Sequence, residues 1–559
     1  MHRRQWLAVM MIVAGASLLI AASFASASTS SGKALKKGGI FRYGLVGAST
    51  QVDPQLAYVT TAWSIEYATA AKLYNYPDKK GPAGSKLLPE VASKFTVSNN
   101  GRVYTFTIRP GFVFSDGTKV TAKNFKYAIE RTANHDLASP GAPFIIDPSG
   151  TNIVGAKAVN DGKTTHVSGV IAKGNKLTIK LSKADGTFMA KITMPFFQAT
   201  STKLPLTKEV VNVSKTNMPS AGPYYMVRND PDRLTQIRLN PHYKKGPGRT
   251  RPHNLAGVDV SWNLNEQTAF NQTIANQLDE SVPPSAEVQG IASKYGVNKN
   301  RFWTQPVNCT GYLPMNVSRS LFKGNLNLRK AVNYAINRKD YVSQAGPYAG
   351  QPWTHLFNPG VPGWRNVTLY KKNLTTAKKL AKGHFKSGKI NVGYRTNSAS
   401  NIAQSQIVKR DLTALGFKSG DINMKGFSGA DLYDAMGHRN TDLDMGVNMG
   451  WCSDYPDPYD WVNILLHGGS SIQAENNVNY SYFNDPKWNK KMESAARLVG
   501  PNRLKVYGQL DLDIMSQAAP MAIERTYNNR YIFSNRVNPQ SLVYQGIYQD
   551  FDWASIALK

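Results

Sequence analysis

The stretch VYTFTIRPGFVFSDGTKVTAKNFKYAIER, Val103–Arg131, reads as strand, turn and helix in one pass. Tyr104, Phe106 and Ile108 alternate with threonines and Arg109, the period of two that sets one face of a strand against a core. Ser115-Asp116-Gly117 is a turn signal, and Thr121 is an N-cap for a helix running through Arg131. Outward from this segment the alternation of element types continues. Leu177–Leu181 repeats the strand pattern. Leu328, Ala331, Val332, Ala335 and Ile336 fall on one helical face, and Ile407, Val408, Leu412 and Leu415 form a second stripe closed by Gly416. Trp488, Met492, Ala495, Ala496 and Val499 form a third. Tyr507, Leu510, Ile514 and Ala518 form a fourth after the Gly500-Pro501 break, and Asp444–Gly450 reads as a strand among them. The 559 residues exceed what one core organises. The mixture predicts an α/β architecture with at least two lobes.

The first thirty residues differ from the rest. His2, Arg3 and Arg4 precede an apolar run, Trp6–Ala22, and Ala25-Ser26-Ala27 fits an A-x-A cleavage pattern, so residues 1–27 read as an export signal. Arg3-Arg4 before Gln5-Trp6-Leu7 leans towards a twin-arginine signal. The other reading of the run is a retained membrane anchor, since it is only slightly short of a span. Without a cysteine near the cleavage site, no amino-terminal lipid anchor is expected. Residues 28–37, small and lysine-rich, read as a flexible linker. No later segment reaches about 18 uninterrupted apolar residues, so the exported chain is expected to be soluble, in the periplasm or at the cell surface.

The balance of 67 basic against 36 acidic residues gives a net charge of +31. Its lysines are scattered in pairs such as Lys79-Lys80 and Lys244-Lys245, with no basic helix or aromatic-basic recognition motif, which argues against nucleic acid as partner. Peripheral attraction to an anionic membrane or wall, or a plain solvated surface, accounts for the charge. Enzyme signatures are absent: there is no HExxH, CxxC, phosphate loop or GxSxG, and Gly426-Phe427-Ser428-Gly429 has the wrong spacing. The histidines are isolated from one another, so neither a metal site nor a cofactor is expected. Export makes a disulfide between the two cysteines, Cys309 and Cys452, chemically permissible, and two buried thiols are the other reading.

One acidic and aromatic cluster carries chemistry: Trp451, Asp454, Tyr455, Asp457, Tyr459, Asp460 and Trp461, with Cys452 inside it. A carboxylate beside aromatic rings suits an ammonium ligand, through a charge-assisted hydrogen bond and ring-face attraction. The same residues would also make an ordinary turn packed over aromatic rings.

At this cluster the chain resembles a known family. GWCSDYPDP, Gly450–Pro458, is similar to the ligand-site segment of the oligopeptide- and dipeptide-binding proteins, the family 5 extracytoplasmic solute-binding proteins of peptide and nickel ABC importers. Arg109–Arg131, SAGPYYM (Ser220–Met226), NPHYKK (Asn240–Lys245) and LRKAVNYAINRKDYV (Leu328–Val342) follow the family's order, with Asn337 where relatives usually carry Asp. The resemblance implies a two-lobed periplasmic-binding-protein fold of cluster C type. Its discontinuous first lobe, with an extra subdomain, would take residues 38–263 and 517–559, and a hinge-linked second lobe 264–516. Val258–Trp262 and Met521–Thr526 would be the crossing strands. The resemblance further implies that Asp454 takes a peptide's α-amino group, that Trp451 and Tyr455 wall the cavity, and that Cys309 and Cys452 form a disulfide. Arg395, after the strand Ile390–Tyr394, would take the peptide carboxylate with its guanidinium fork. The implied protein is a monomer that captures short peptides by hinge closure and passes them to an ABC permease and ATPase, without enzymatic activity. A sugar or nickel-chelate binder, an exported peptide hydrolase and a surface receptor for anionic polymers are the competing readings.

Overall fold

The computed structural model describes residues 35–559 apart from 47–50, 59, 80–82, 85, 148–149, 207–217, 387, 429–430, 472–476, 499 and 547–549. The expected signal segment, residues 1–27, lies outside the described residues.

The chain opens with β1 (Ile40–Gly44) and α1 (Thr60–Thr69). It then lays down an antiparallel sheet of β2 (Ala92–Ser98), β3 (Val103–Ile108), β4 (Val170–Lys173) and β5 (Lys176–Lys180), in the order β2-β3-β5-β4. The Val103–Arg131 reading is realised here. Tyr104, Phe106 and Ile108 are buried with Phe125 and Ile129 of α2 (Ala122–Ala133) in one core. The helix begins where Thr121 donates its backbone N–H to the Asn124 carboxamide oxygen (2.9 Å). Near its end the fully buried Arg131 holds Asp53 through two hydrogen bonds of 3.0 and 2.8 Å.

Next come β6 (Tyr224–Asp230), β7 (Leu234–Leu239), β8 (Gly257–Ser261), the short β9 (Glu280–Ser281) and β10 (Phe302–Pro314). The second half contributes α3 (Leu326–Ala335), β11 (Ile390–Arg395), α4 (Ala399–Leu415), β12 (Ile422–Phe427), β13 (Met445–Val447) and β14 (Met449–Cys452). It ends with α5 (Tyr459–Leu466), α6 (Pro486–Ala496), α7 (Gly500–Gln517) and β15 (Met521–Phe533). Strands β12-β11-β13 form a parallel sheet. The apolar stripes of α3 and α4 are buried against it, and Gly416, at a φ of 136°, closes α4. Asn337 caps the helix Arg338–Ser343 by accepting the Asp340 N–H (3.2 Å), the work an aspartate would do there.

The remaining strands form one sheet of eight, β14-β10-β15-β9-β1-β8-β7-β6. Its two longest members, β10 and β15, each of 13 residues, pair antiparallel along most of their length, with irregularities between Val307 and Thr310 and between Gly311 and Tyr312. At one end Phe302, Tyr531, Ile532 and Phe533 join the cores built on β1, β8 and the helices Glu266–Ile274 and Val288–Tyr295. At the other end Tyr312, Leu313, Met521, Ala522 and Ile523 join the cores of the second half. This pair therefore runs from one lobe into the other. Val258–Trp262 does not cross: Val258, Val260 and Trp262 share a single core, and β8 is enclosed between β1 and β7. The partner of the Met521–Thr526 crossing is β10, whose interior residues Gln305, Pro306 and Asn308 break the strand periodicity. Among the described residues no helix is long and apolar enough to cross a membrane.

Candidate functional site

The acidic-aromatic cluster lies where the two lobes meet. Strand β14 pairs with the middle of β10, and the register sets Cys452 opposite Cys309, where the two form a disulfide. One residue on, the Ser453 N–H donates to the Asn308 carbonyl (2.9 Å), so the loop leaves the sheet from a doubly fixed point. The Ser453 hydroxyl donates to the Tyr455 carbonyl (2.6 Å), and the Asp457 carboxylate accepts the Tyr459 N–H (2.8 Å), which tightens the turn into α5.

The carboxylates of the loop divide by partner. Asp457 holds the Arg503 guanidinium bidentately, at 2.6 and 2.8 Å, which makes it a brace for α7. Asp460 is fully buried and accepts the Asp454 backbone N–H (2.8 Å); burial and the neighbouring Asp454 charge push its carboxyl well above the carboxylate range. Asp454 has no lysine or arginine within ion-pair distance among the described residues. Its one side-chain partner is the Tyr58 hydroxyl, which donates at 2.7 Å from the first lobe. Burial raises its carboxyl to about 7, against the opposing effect of that hydrogen bond.

Tyr58 stands in an aromatic nest with Trp63, Phe144 and Phe196, ring centroids 5.8, 6.3 and 5.6 Å away. Tyr455 follows Asp454 into the same core: its ring is 1% exposed and meets Phe144 edge to face at 6.1 Å. It is a side chain inserted into the opposite lobe rather than the wall of an open cavity. Beside it the Tyr459 hydroxyl donates to Asp147 (2.6 Å), and Lys191 lies 4.6 Å over the Tyr459 ring. Trp451 stays half-buried at the edge of the second-lobe core.

Arg395 ends β11, at the carboxyl edge of the parallel sheet, a common ligand position in α/β folds. No direct contact joins it to Asp454 among the described residues. Two rings link their surroundings instead. The Arg395 guanidinium lies 6.0 Å over Tyr433, whose hydroxyl accepts the Gly450 N–H (3.1 Å), and Tyr433 meets Tyr480 at 5.5 Å. Tyr480 lies in the surroundings of Tyr58. Among the described residues the buried Arg395 Nε has no hydrogen-bond partner, and no carboxylate pairs with the side chain.

Sequence reading did not single out Tyr58, Tyr433 or Tyr480, whose places depend on pairings across the chain. Nor did it single out Glu524 and Arg525 on the crossing strand β15. Glu524 is fully buried, with its carboxyl raised to about 7 by burial. Among the described residues, no group of three or more His, Cys, Asp or Glu is arranged to hold a metal ion.

The chain is similar to known proteins in sequence and in fold. The family model of bacterial extracellular solute-binding proteins, family 5, matches residues 86–473. The oligopeptide-binding protein OppA of Bacillus subtilis is 25% identical over 68% of this chain and 70% of its own length. The periplasmic murein peptide-binding protein MppA of Escherichia coli is 23% identical over 80% and 81%. Among solved structures, clavulanic acid biosynthesis oligopeptide binding protein 2 superposes with a TM-score of 0.80 at 20% identity, covering 94% of this chain and 96% of that one. The E. coli murein tripeptide binding protein MppA gives 0.77 at 20% identity over 94% and 100%, and an unliganded open form of MppA gives 0.69 at 20% identity over 94% and 99%. The two-lobed α/β fold, the disulfide-anchored loop and the family match lead to one statement: the chain belongs to the bacterial extracellular solute-binding proteins, family 5.

Proposed function

We propose that the protein captures short peptides between its lobes and delivers them to the permease of an ABC importer. Asp454 takes the ligand's α-ammonium group, and Arg395 is the second pole, for the carboxylate. The observation that carries this reading is the division of carboxylates in the 451–460 loop. Asp457 is paired with Arg503 and Asp460 turns one oxygen to the Asp454 backbone N–H, while the Asp454 carboxylate meets only the Tyr58 hydroxyl and no cation among the described residues at the lobe junction. An ammonium there would restore the charge balance that burial upsets. Its hydrogen bond to Tyr58 of the other lobe ties ligand capture to closure, since a ligand shifts the lobes only through contacts made in the closed state. We read the second lobe as roughly the segment between the two crossings of β10 and β15, with the rest of 37–559 as the first. The protein acts as a monomeric binder rather than a catalyst, outside the cytoplasm.

The test begins with mild denaturation of the purified protein and mass spectrometry of what it releases. Mixed short peptides are the expected result; a single sugar, haem, bile acid or metal chelate would overturn the substrate class. Calorimetry with a bound peptide then tests the poles. N-acetylating the peptide should weaken binding roughly 10–100-fold, the worth of a charged hydrogen bond of about 1.5–3 kcal/mol. Arg395→Ala should weaken dipeptide binding by a similar factor, and unchanged affinity would remove Arg395 from the site.

A further inference from the structure

Glu524 is the most anomalous charged side chain in the second lobe. It is 0% exposed, and neither carboxylate oxygen has a partner at hydrogen-bond geometry among the described residues, although the Tyr341 hydroxyl and the Arg338 charge act on the group. The Arg525 Nε comes only to 3.9 Å, beyond hydrogen-bond reach. That guanidinium lies instead 4.1 Å over the Tyr527 ring, which draws it by ring-face attraction. A buried carboxylate short of well-formed hydrogen bonds is costly and uncommon in a folded chain.

The backbone around it makes room for the group. A Cβ on Gly311 would stand 2.5 Å from Glu524 Oε1 and 2.9 Å from the Tyr527 hydroxyl. Directly across the β10/β14 ladder is Gly450, where a Cβ would approach the same hydroxyl to 3.4 Å. Two facing glycines therefore let the Glu524 carboxylate and the Tyr527 hydroxyl come close against the strands that carry Thr310 and Trp451. Tyr433 and Tyr527 are both half-buried, and Tyr433 is near enough to feel the Glu524 charge as well as that of Arg395. The carboxylate thus lies behind the rings that join the two poles of the ligand site.

We propose that Glu524 is a specificity-determining residue, the floor of a side-chain subsite that selects peptides carrying a lysine- or arginine-like cation. The inference rests on the peptide-capture reading and adds a substrate class to it. A ligand ammonium or guanidinium supplies N–H donors to the Glu524 carboxylate, with Tyr433 and Tyr527 flanking its alkyl stem.

Calorimetry with tripeptides of alanine, carrying lysine or uncharged norleucine at each position in turn, tests the subsite without any mutation. At one position the wild-type protein should bind the lysine peptide at least tenfold more tightly than its norleucine twin. Glu524→Gln should abolish that preference while leaving trialanine affinity within about twofold; a circular-dichroism melt checks that the variant is folded. The proposal is overturned if no position favours lysine, or if Glu524→Gln keeps the preference. If trialanine itself fails to bind, the capture reading at Asp454 falls, and this inference with it.

Discussion

At the scale of single residues, the chemistry turns on the protonation of two neighbouring buried carboxyls, Asp454 and Asp460. Both carboxyls are pushed up by burial, Asp454 to about 7, so near neutrality the pair holds a proton that free aspartates would have released. A ligand ammonium requires that proton to leave. Affinity for a peptide with a free amino terminus should therefore weaken as pH falls below about 7, by up to tenfold per unit. Proton release should appear as a dependence of binding enthalpy on the buffer's ionisation enthalpy. Asp454→Asn should lower affinity and flatten this limb, whereas equal pH dependence in both proteins would move the titrating group elsewhere. The acidic-aromatic cluster around Asp454 stands out in the sequence because it is contiguous and mixes carboxylates with rings, while the choice of Asp454 within it follows from the family resemblance. Tyr58, its partner, lies 396 residues away, and no local pattern marks a tyrosine for a hydrogen bond made only when two lobes meet.

At the scale of elements, amphipathic patterns were the readable part. Strand β3 and helices α2, α3 and α4 occupy the segments whose periodicity announces them, since one face of each meets a core. The crossing strand β10 was not readable. It passes from one core to another, so its buried positions change environment midway and no single period survives. The disulfide to β14 stands beside that change, at Cys309. Its separation of 143 residues places its contribution near 5 kcal/mol in the chain-entropy model. The Cys309→Ser/Cys452→Ser double variant should thus unfold at lower denaturant by a few kcal/mol. It should also bind peptide more weakly, because Trp451 and Ser453 flank Cys452 and lose a fixed base. A variant with reduced stability and unchanged affinity would show the bridge braces the fold but not the loop.

At the scale of the whole molecule, this chain places several carboxyls where water does not reach. Asp550 is raised to about 6 and Glu524, like Asp454, to about 7, while Glu280 is pushed well above the carboxylate range, burial being the largest cause each time. In the unfolded chain these groups ionise near pH 4. Between about pH 4 and 7 the native state therefore holds protons that the unfolded state has given up, and raising the pH favours unfolding. The stabilisation is complete below the unfolded values and is lost as pH rises through the folded ones. Lys72 and Lys183, whose ammoniums burial pushes down, work in the opposite sense but are fewer than these carboxyls. Melting by calorimetry should consequently show a higher Tm near pH 5.5 than near pH 8, by roughly 5 °C, given a few degrees per kcal/mol. Glu524→Gln should remove part of that slope. A saturating peptide should remove another part, because the proton on the Asp454–Asp460 pair leaves on binding and no longer distinguishes native from unfolded chain. A Tm that rises from pH 5.5 to 8 would mean that these carboxyls are ionised in the folded protein, and the charge balance assigned to the ligand site would fail with it.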